Sequence, residues 1–181
     1  MGYKELNTFA FFSASAKRYL CIAEKEESGF AFDLMSVMVM SAFSVEAYLN
    51  HLGAKKIPDW FPAKESKSVW AKYRILREVV GLPALSLEQA HPQAAAALQF
   101  RNNMAHGRTE RHKLCRIIDP ESQDNHDNPV GWQNDLDMPI ARARFEACQE
   151  LIKELHSAAG LGKHPFFTLS SSATFEPIKN L

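Results

Sequence analysis

Between Phe32 and Leu52 the chain has almost no polar face. Leu34, Met35, Val37, Met38, Val39, Met40, Phe43, Val45, Tyr48 and Leu49 fall on nearly every side of a helical wheel. A helix of that kind has to be surrounded by other helices or by lipid. Its most apolar stretch, Leu34 to Val45, is bounded by Asp33 and Glu46 and is shorter than the roughly 20 residues a membrane span requires. The stretch therefore predicts the central helix of a bundle, with Gly53 as its left-handed stop. With 181 residues, 46% hydrophobic and 23% charged, the chain has material for one domain with a real core. Lys plus Arg and Asp plus Glu both number 21, which excludes a bulk cationic nucleic-acid binder but leaves room for a local basic patch.

Helical spacing recurs on both sides of that segment. Phe9, Phe12, Ala16, Tyr19, Leu20 and Ala23 predict a first helix over Glu5 to Glu27, and Val69, Trp70, Tyr73, Leu76 and Val80 predict another over Ser66 to Val80, stopped by Gly81 and Pro83. Ser86-Leu-Glu-Gln89 has the form of a capping box, and Pro92 either kinks the helix that follows or restarts it. That helix runs to Gly107. Residues 107 to 138 lack a helical period and form a long connection, with short strands expected at Leu114 to Ile118 and Val130 to Trp132. The last helix begins at Asp137 or Met138, carries the stripe Ala141, Phe145, Cys148, Ile152, Leu155 and Ala159, and stops at Gly160 and Gly162. The expectation is an all-α antiparallel bundle of about five helices over residues 1 to 162, with a long loop before the last helix. A tail, 163 to 181, has Phe166, Phe167, Leu169 and Phe175 with which to dock. Cys21, Cys115 and Cys148 form no CxxC pair, and Met1 to Glu5 does not begin an export leader, so the expected setting is a reducing cytoplasm without a membrane partner.

The chemistry concentrates in Arg101-Asn102-Asn103-Met104-Ala105-His106-Gly107. Asn102 and His106 are four residues apart and lie nearly on one helical face, whereas Arg101 and His106 are about 140° apart and converge only through the long Arg stem. A guanidinium can hold two phosphate oxygens and stabilise developing charge, and an imidazole passes protons near neutrality, so the set suits a phosphodiester and needs no metal or cofactor. The plainer alternative makes Arg101 a solvated helix residue and His106 a C-terminal cap.

An Arg, a polar residue, three further residues and a His at the end of a late helix resembles the signature of the HEPN superfamily (higher eukaryotes and prokaryotes nucleotide-binding). Ser44-Val-Glu-Ala-Tyr-Leu-Asn50 is similar to the corresponding central helix of several HEPN families. The resemblance implies a homodimer acting as a metal-independent endoribonuclease, in defence, toxin or stress systems. Arg101 would bind and polarise the phosphate, Asn102 would orient the site, and His106 would transfer protons during attack of a 2′-hydroxyl on the adjacent phosphorus. An antitoxin or a neighbouring-gene partner belongs to the same expectation. Members that have lost catalysis serve as nucleotide-binding, RNA-binding or dimerisation modules, which is the alternative. Toxins paired with a minimal nucleotidyltransferase carry a Tyr two positions after the His; Arg108 stands there in this chain.

Glu46 lies in the most apolar helix and needs a partner, either Arg101 or His106 at the site or a polar group at a bundle or dimer seam. Tyr48 and Asn50 are expected as packing and helix-end residues. Residues 101 to 116 carry five basic side chains against Glu110, a net charge of +4, and residues 117 to 138 carry −6. Arg108, Arg111 and Lys113 would thus offer an RNA backbone a cationic strip, with a solvated loop of mixed charge as the alternative. His106, His112 and Cys115, with Cys148 or His126, match no standard zinc spacing. Ser170 to Ser172 has no paired base, and Gly160-Leu-Gly-Lys163 is too short for a phosphate loop.

Overall fold

The computed structural model describes residues 2–25, 30–61, 64–107, 131–166 and 170–175. The architecture is mostly helical, a bundle with six α-helices among the described residues: α1 Thr8–Ala23, α2 Phe30–Lys56, α3 Val69–Val79, α4 Leu87–Ala90, α5 Pro92–Ala105 and α6 Met138–Ala158. A two-stranded antiparallel ribbon, β1 Gly2–Leu6 with β2 Ser170–Phe175, joins the two ends of the described chain, with a register shift between Lys4 and Glu5.

As the apolar run predicts, α2 is central and packs against α1, α3, α5 and α6. Its inner residues serve two core clusters. Val45, Tyr48, Leu49 and Leu52 meet Phe9, Trp60, Tyr73, Leu76, Leu98 and Leu155. Leu34, Val37 and Met38 meet Leu20, Phe100 and Phe145 in the other. The helix is longer than its sequence pattern suggests. At 27 residues, with a mean hydropathy of 1.5 over its most apolar window, it is the one helix among the described residues that is long and apolar enough to cross a membrane, so length does not separate it from a span.

Gly53 is a correction. It does not end α2 but sits buried inside it, because the Trp60 ring lies against its bare Cα; a Cβ there would stand 2.2 Å from Trp60 Cε2. The helix continues one further turn to Lys56, and Asn50 is consequently a mid-helix residue rather than an end. A second correction concerns the N-terminus: Glu5 and Leu6 belong to β1, paired with Ser171 and Ser170, and α1 begins at Thr8.

Local signals place the remaining boundaries well. Ser68 caps α3 by accepting from the Ala71 amide. Ser86 and Gln89 form the reciprocal capping box of α4, and α5 restarts with Pro92 in its first turn, where a missing amide proton costs nothing. Asp137 caps α6, again with a proline, Pro139, in the first turn. Trp132 is not in a strand: Gly131–Asp135 is a 3-10 turn leading into α6. The expected strand at Leu114 to Ile118 lies outside the described residues. Beyond α6, Phe166 joins the first core cluster, its ring 6.2 Å from that of Phe9.

Candidate functional site

Helix α5 ends at Ala105, and His106 is its C-cap: its amide donates to the Asn102 carbonyl, and the Gly107 amide donates to the Met104 carbonyl. Asn102 and His106 both line one open cleft of about 580 Å³, together with Gln99, Asn103, Gly107, Gly131, Trp132 and Asp135. His106 is exposed, and among the described residues neither its ring nor the Asn102 amide has a hydrogen-bond partner. Both are therefore available to a ligand. The helical spacing of four brings them to one face, as expected.

Arg101 goes the other way. Its side chain turns into the seam between α5 and α2, where Nη2 donates to Glu46 Oε2 at 2.5 Å and the guanidinium sits 5.5 Å from the centre of the Phe43 ring. Glu46 therefore takes the Arg101 option of the two offered by the sequence. Its second oxygen, Oε1, faces Lys72 Nζ at 3.7 Å. Lys72 comes from α3 and is 2% exposed, against 17% for Arg101 and 32% for Glu46. One carboxylate thus serves two cations from two other helices, leaving a net positive charge in the seam. Arg101 Nε and Asn50 Oδ1, one turn beyond Glu46 on α2, are both buried without a partner among the described residues.

The other polar residues of that α2 segment anchor the frame. Ser44 donates its hydroxyl to the Phe9 carbonyl at 2.8 Å, fixing α1 on α2. Tyr48, fully buried, has its hydroxyl 3.2 Å from His156 Nδ1 on α6. Burial pushes the Tyr48 phenol above its ordinary range. Burial also lowers His156, and the charge of Lys55 adds to that, while a hydrogen bond to the Leu161 backbone opposes it.

A second charged cluster lies at the junction of α3, α4 and α6. Arg77 is 4% exposed and donates to the Pro83 carbonyl at 2.7 Å, to the Tyr73 hydroxyl at 2.8 Å and to Glu154 at 3.0 Å, while His91 Nε2 approaches the same Glu154 oxygen at 2.6 Å. Burial raises the Glu154 carboxyl, but the hydrogen bonds and charges of His91 and Arg77 outweigh it and hold it below the usual carboxylate range. Cys148 lies buried in the core, its thiol pushed up to about 12 by desolvation, which makes it a packing residue.

Arg108, Arg111 and Lys113 lie outside the described residues, as do His112, Cys115 and His126. Among the described residues no three His, Cys, Asp or Glu side chains group as a metal site. Sequence reasoning missed Lys72, Trp132, Asp135 and Arg144. Lys72 and Arg144 carried a signal, since each falls on the apolar stripe of its helix, where a cation needs a partner. Comparison of the chain with protein-family models, with curated proteins and with solved structures gives no match.

Proposed function

We propose that the chain is a metal-independent endoribonuclease of the HEPN type, acting as a homodimer in a defence, toxin or stress system. The observation that carries the reading is the end of α5, where an exposed His106 and an Asn102 amide open onto one cleft, with the Arg101 guanidinium anchored one residue away by Glu46. In the reaction, one imidazole takes the proton of a ribose 2′-hydroxyl and the 2′-oxygen bonds to phosphorus. The bond from phosphorus to the 5′-oxygen breaks, and a protonated imidazole supplies the leaving oxygen with its proton. The products are a 2′,3′-cyclic phosphate, open to later hydrolysis, and a free 5′-hydroxyl. Arg101 stabilises charge on the phosphoryl oxygens.

One chain offers one His106, and a second copy supplies the second imidazole. An apolar stripe supports such a seam: Phe11 and Phe32 are exposed, and Met35, Val39, Met40 and Phe43 are only half-buried on α2. Arg108, Arg111 and Lys113 grip the RNA backbone, so removing their charge flattens the salt dependence of binding without moving the cut.

A non-catalytic nucleotide- or RNA-binding module is the second reading, favoured by one observation: Arg101 is not among the residues that line the cleft. Incubation of the purified protein with single-stranded RNA in EDTA separates the two. Catalysis predicts cutting that a 2′-deoxy substitution blocks and that His106→Ala reduces by roughly 10²-fold or more with the fold intact. Tight binding of RNA with no cutting across a broad panel selects the module, and cutting that demands Mg²⁺ removes the mechanism. Mixing Arg101→Ala with His106→Ala subunits restores part of the activity if the site is shared between two chains.

A further inference from the structure

The cleft beside His106 has a second wall that the reaction above leaves unused. Trp132, in the 3-10 turn before α6, packs part of its ring on the core cluster of Phe100, Ala141 and Phe145 and presents the rest to the cleft. The turn that carries it is pinned. Arg144, buried on α6, donates Nη2 to Asp135 Oδ1 at 2.9 Å while its guanidinium lies 5.9 Å from the centre of the Phe100 ring. A ring held in this way loses little freedom when a ligand settles on it.

Gln99 and Asn103, one turn apart on α5, line the same cleft. Gln99 Nε2 donates to Asn103 Oδ1 at 2.9 Å, which leaves Asn103 Nδ2 as a donor and Gln99 Oε1 as an acceptor. If the two amides are assigned the opposite way round, one donor and one acceptor still remain. The cleft thus combines a flat aromatic surface, a donor and acceptor able to meet the edge of a planar ring, and an exposed imidazole.

From this arrangement we infer that Trp132 is a stacking platform for one base of single-stranded RNA, with Gln99 and Asn103 at the base edge and the adjoining phosphate directed to His106. The inference rests on the ribonuclease reading for the role of His106, whereas the platform requires only a base-bearing ligand. Every base has a π-face, so the platform tolerates sequence. Duplex RNA is a poor ligand, because its bases are already stacked on one another.

The test measures binding of a short single-stranded 2′-O-methyl RNA, which cannot be cut, and of the matching abasic strand, to the full chain. Trp132→Leu keeps an apolar side chain on the core but removes the π-face, and Trp132→Phe restores a smaller one. The base-bearing strand should bind roughly tenfold more weakly to Trp132→Leu, with most of the loss recovered by Trp132→Phe and the abasic strand unchanged. Equal binding by wild type and Trp132→Leu, an equal loss for both strands, or no binding of the base-bearing strand by the wild type overturns the platform. RNA cutting, assayed beside it, keeps the two readings apart. Base-dependent binding through Trp132 without any cutting leaves the platform standing and sinks the ribonuclease, and cutting that ignores Trp132→Leu does the reverse.

Discussion

Two carboxylates in this bundle each serve two basic side chains, and they do so differently. Glu154 stands in a network in which the Arg77 guanidinium is bonded to a backbone carbonyl, a phenol and the carboxylate itself. Glu46 holds Arg101 tightly and Lys72 loosely, and Arg101 Nε and Asn50 Oδ1 are buried with no partner among the described residues. A satisfied polar network fixes where elements sit. A network with spare donors and acceptors holds its members less firmly, because buried polar groups are costly when unpaired. The first cluster locks α3, α4 and α6 together, and the second is the one that the proposed function assigns to the site.

The largest stability effect expected of that contrast is at Arg77. Arg77→Ala strips partners from Tyr73, Glu154 and the Pro83 carbonyl together, and should destabilise the fold by about 3 kcal/mol. Denaturant unfolding checks it, and RNA cutting per folded molecule should be kept.

Glu46→Gln gives a smaller and mixed effect. The substitution leaves the buried Lys72 without a counter-charge and weakens the hold on Arg101, so stability should fall by about 1–3 kcal/mol and the cutting rate by roughly tenfold. If only the melting temperature moves, Glu46 is another structural lock and the contrast between the two carboxylates fails.

The smallest effects are in the pH dependence of stability. Glu154 is held below the usual carboxylate range, so the stability it contributes is fully present above its unfolded value near about 4.3 and is lost as pH falls through the lower folded value. His156 is also lowered by burial; its contribution is complete above about 6.5 and fades as pH falls below that. Melting temperatures between neutral and acid pH should therefore decline in two stages. His156→Gln should flatten the first stage and Glu154→Gln the second. An unchanged acid limb in Glu154→Gln would remove the electrostatic account of that lock.

Much of this organisation is legible in the residues. The apolar run of α2 requires a central helix, and Ser86 with Gln89, Pro92, and Asp137 with Pro139 mark helix starts that the fold reproduces. Where the pattern misleads, a distant contact decides. Gly53 has the look of a helix stop until Trp60 occupies the space a Cβ would need. Glu5 and Leu6 continue a helical pattern until residues some 165 positions away pair with them. At the site, spacing alone brings Asn102 and His106 together. It cannot give the direction of Arg101, which is set by Glu46, Lys72 and Phe43 on neighbouring helices. Nor does it make Trp132 a wall of the cleft, because that depends on Arg144 pinning the turn through Asp135.

The measurement that bears most directly on the division of labour between the two clusters is the RNA-cutting rate of Arg101→Ala against that of Arg77→Ala, each normalised to folded protein, with unfolding followed in parallel. Arg101→Ala should cut roughly 10²-fold more slowly than wild type while RNA binding and stability change little, and Arg77→Ala should unfold more easily yet cut at the wild-type rate. Wild-type cutting by Arg101→Ala, or a loss that follows unfolding in both variants alike, would contradict the account.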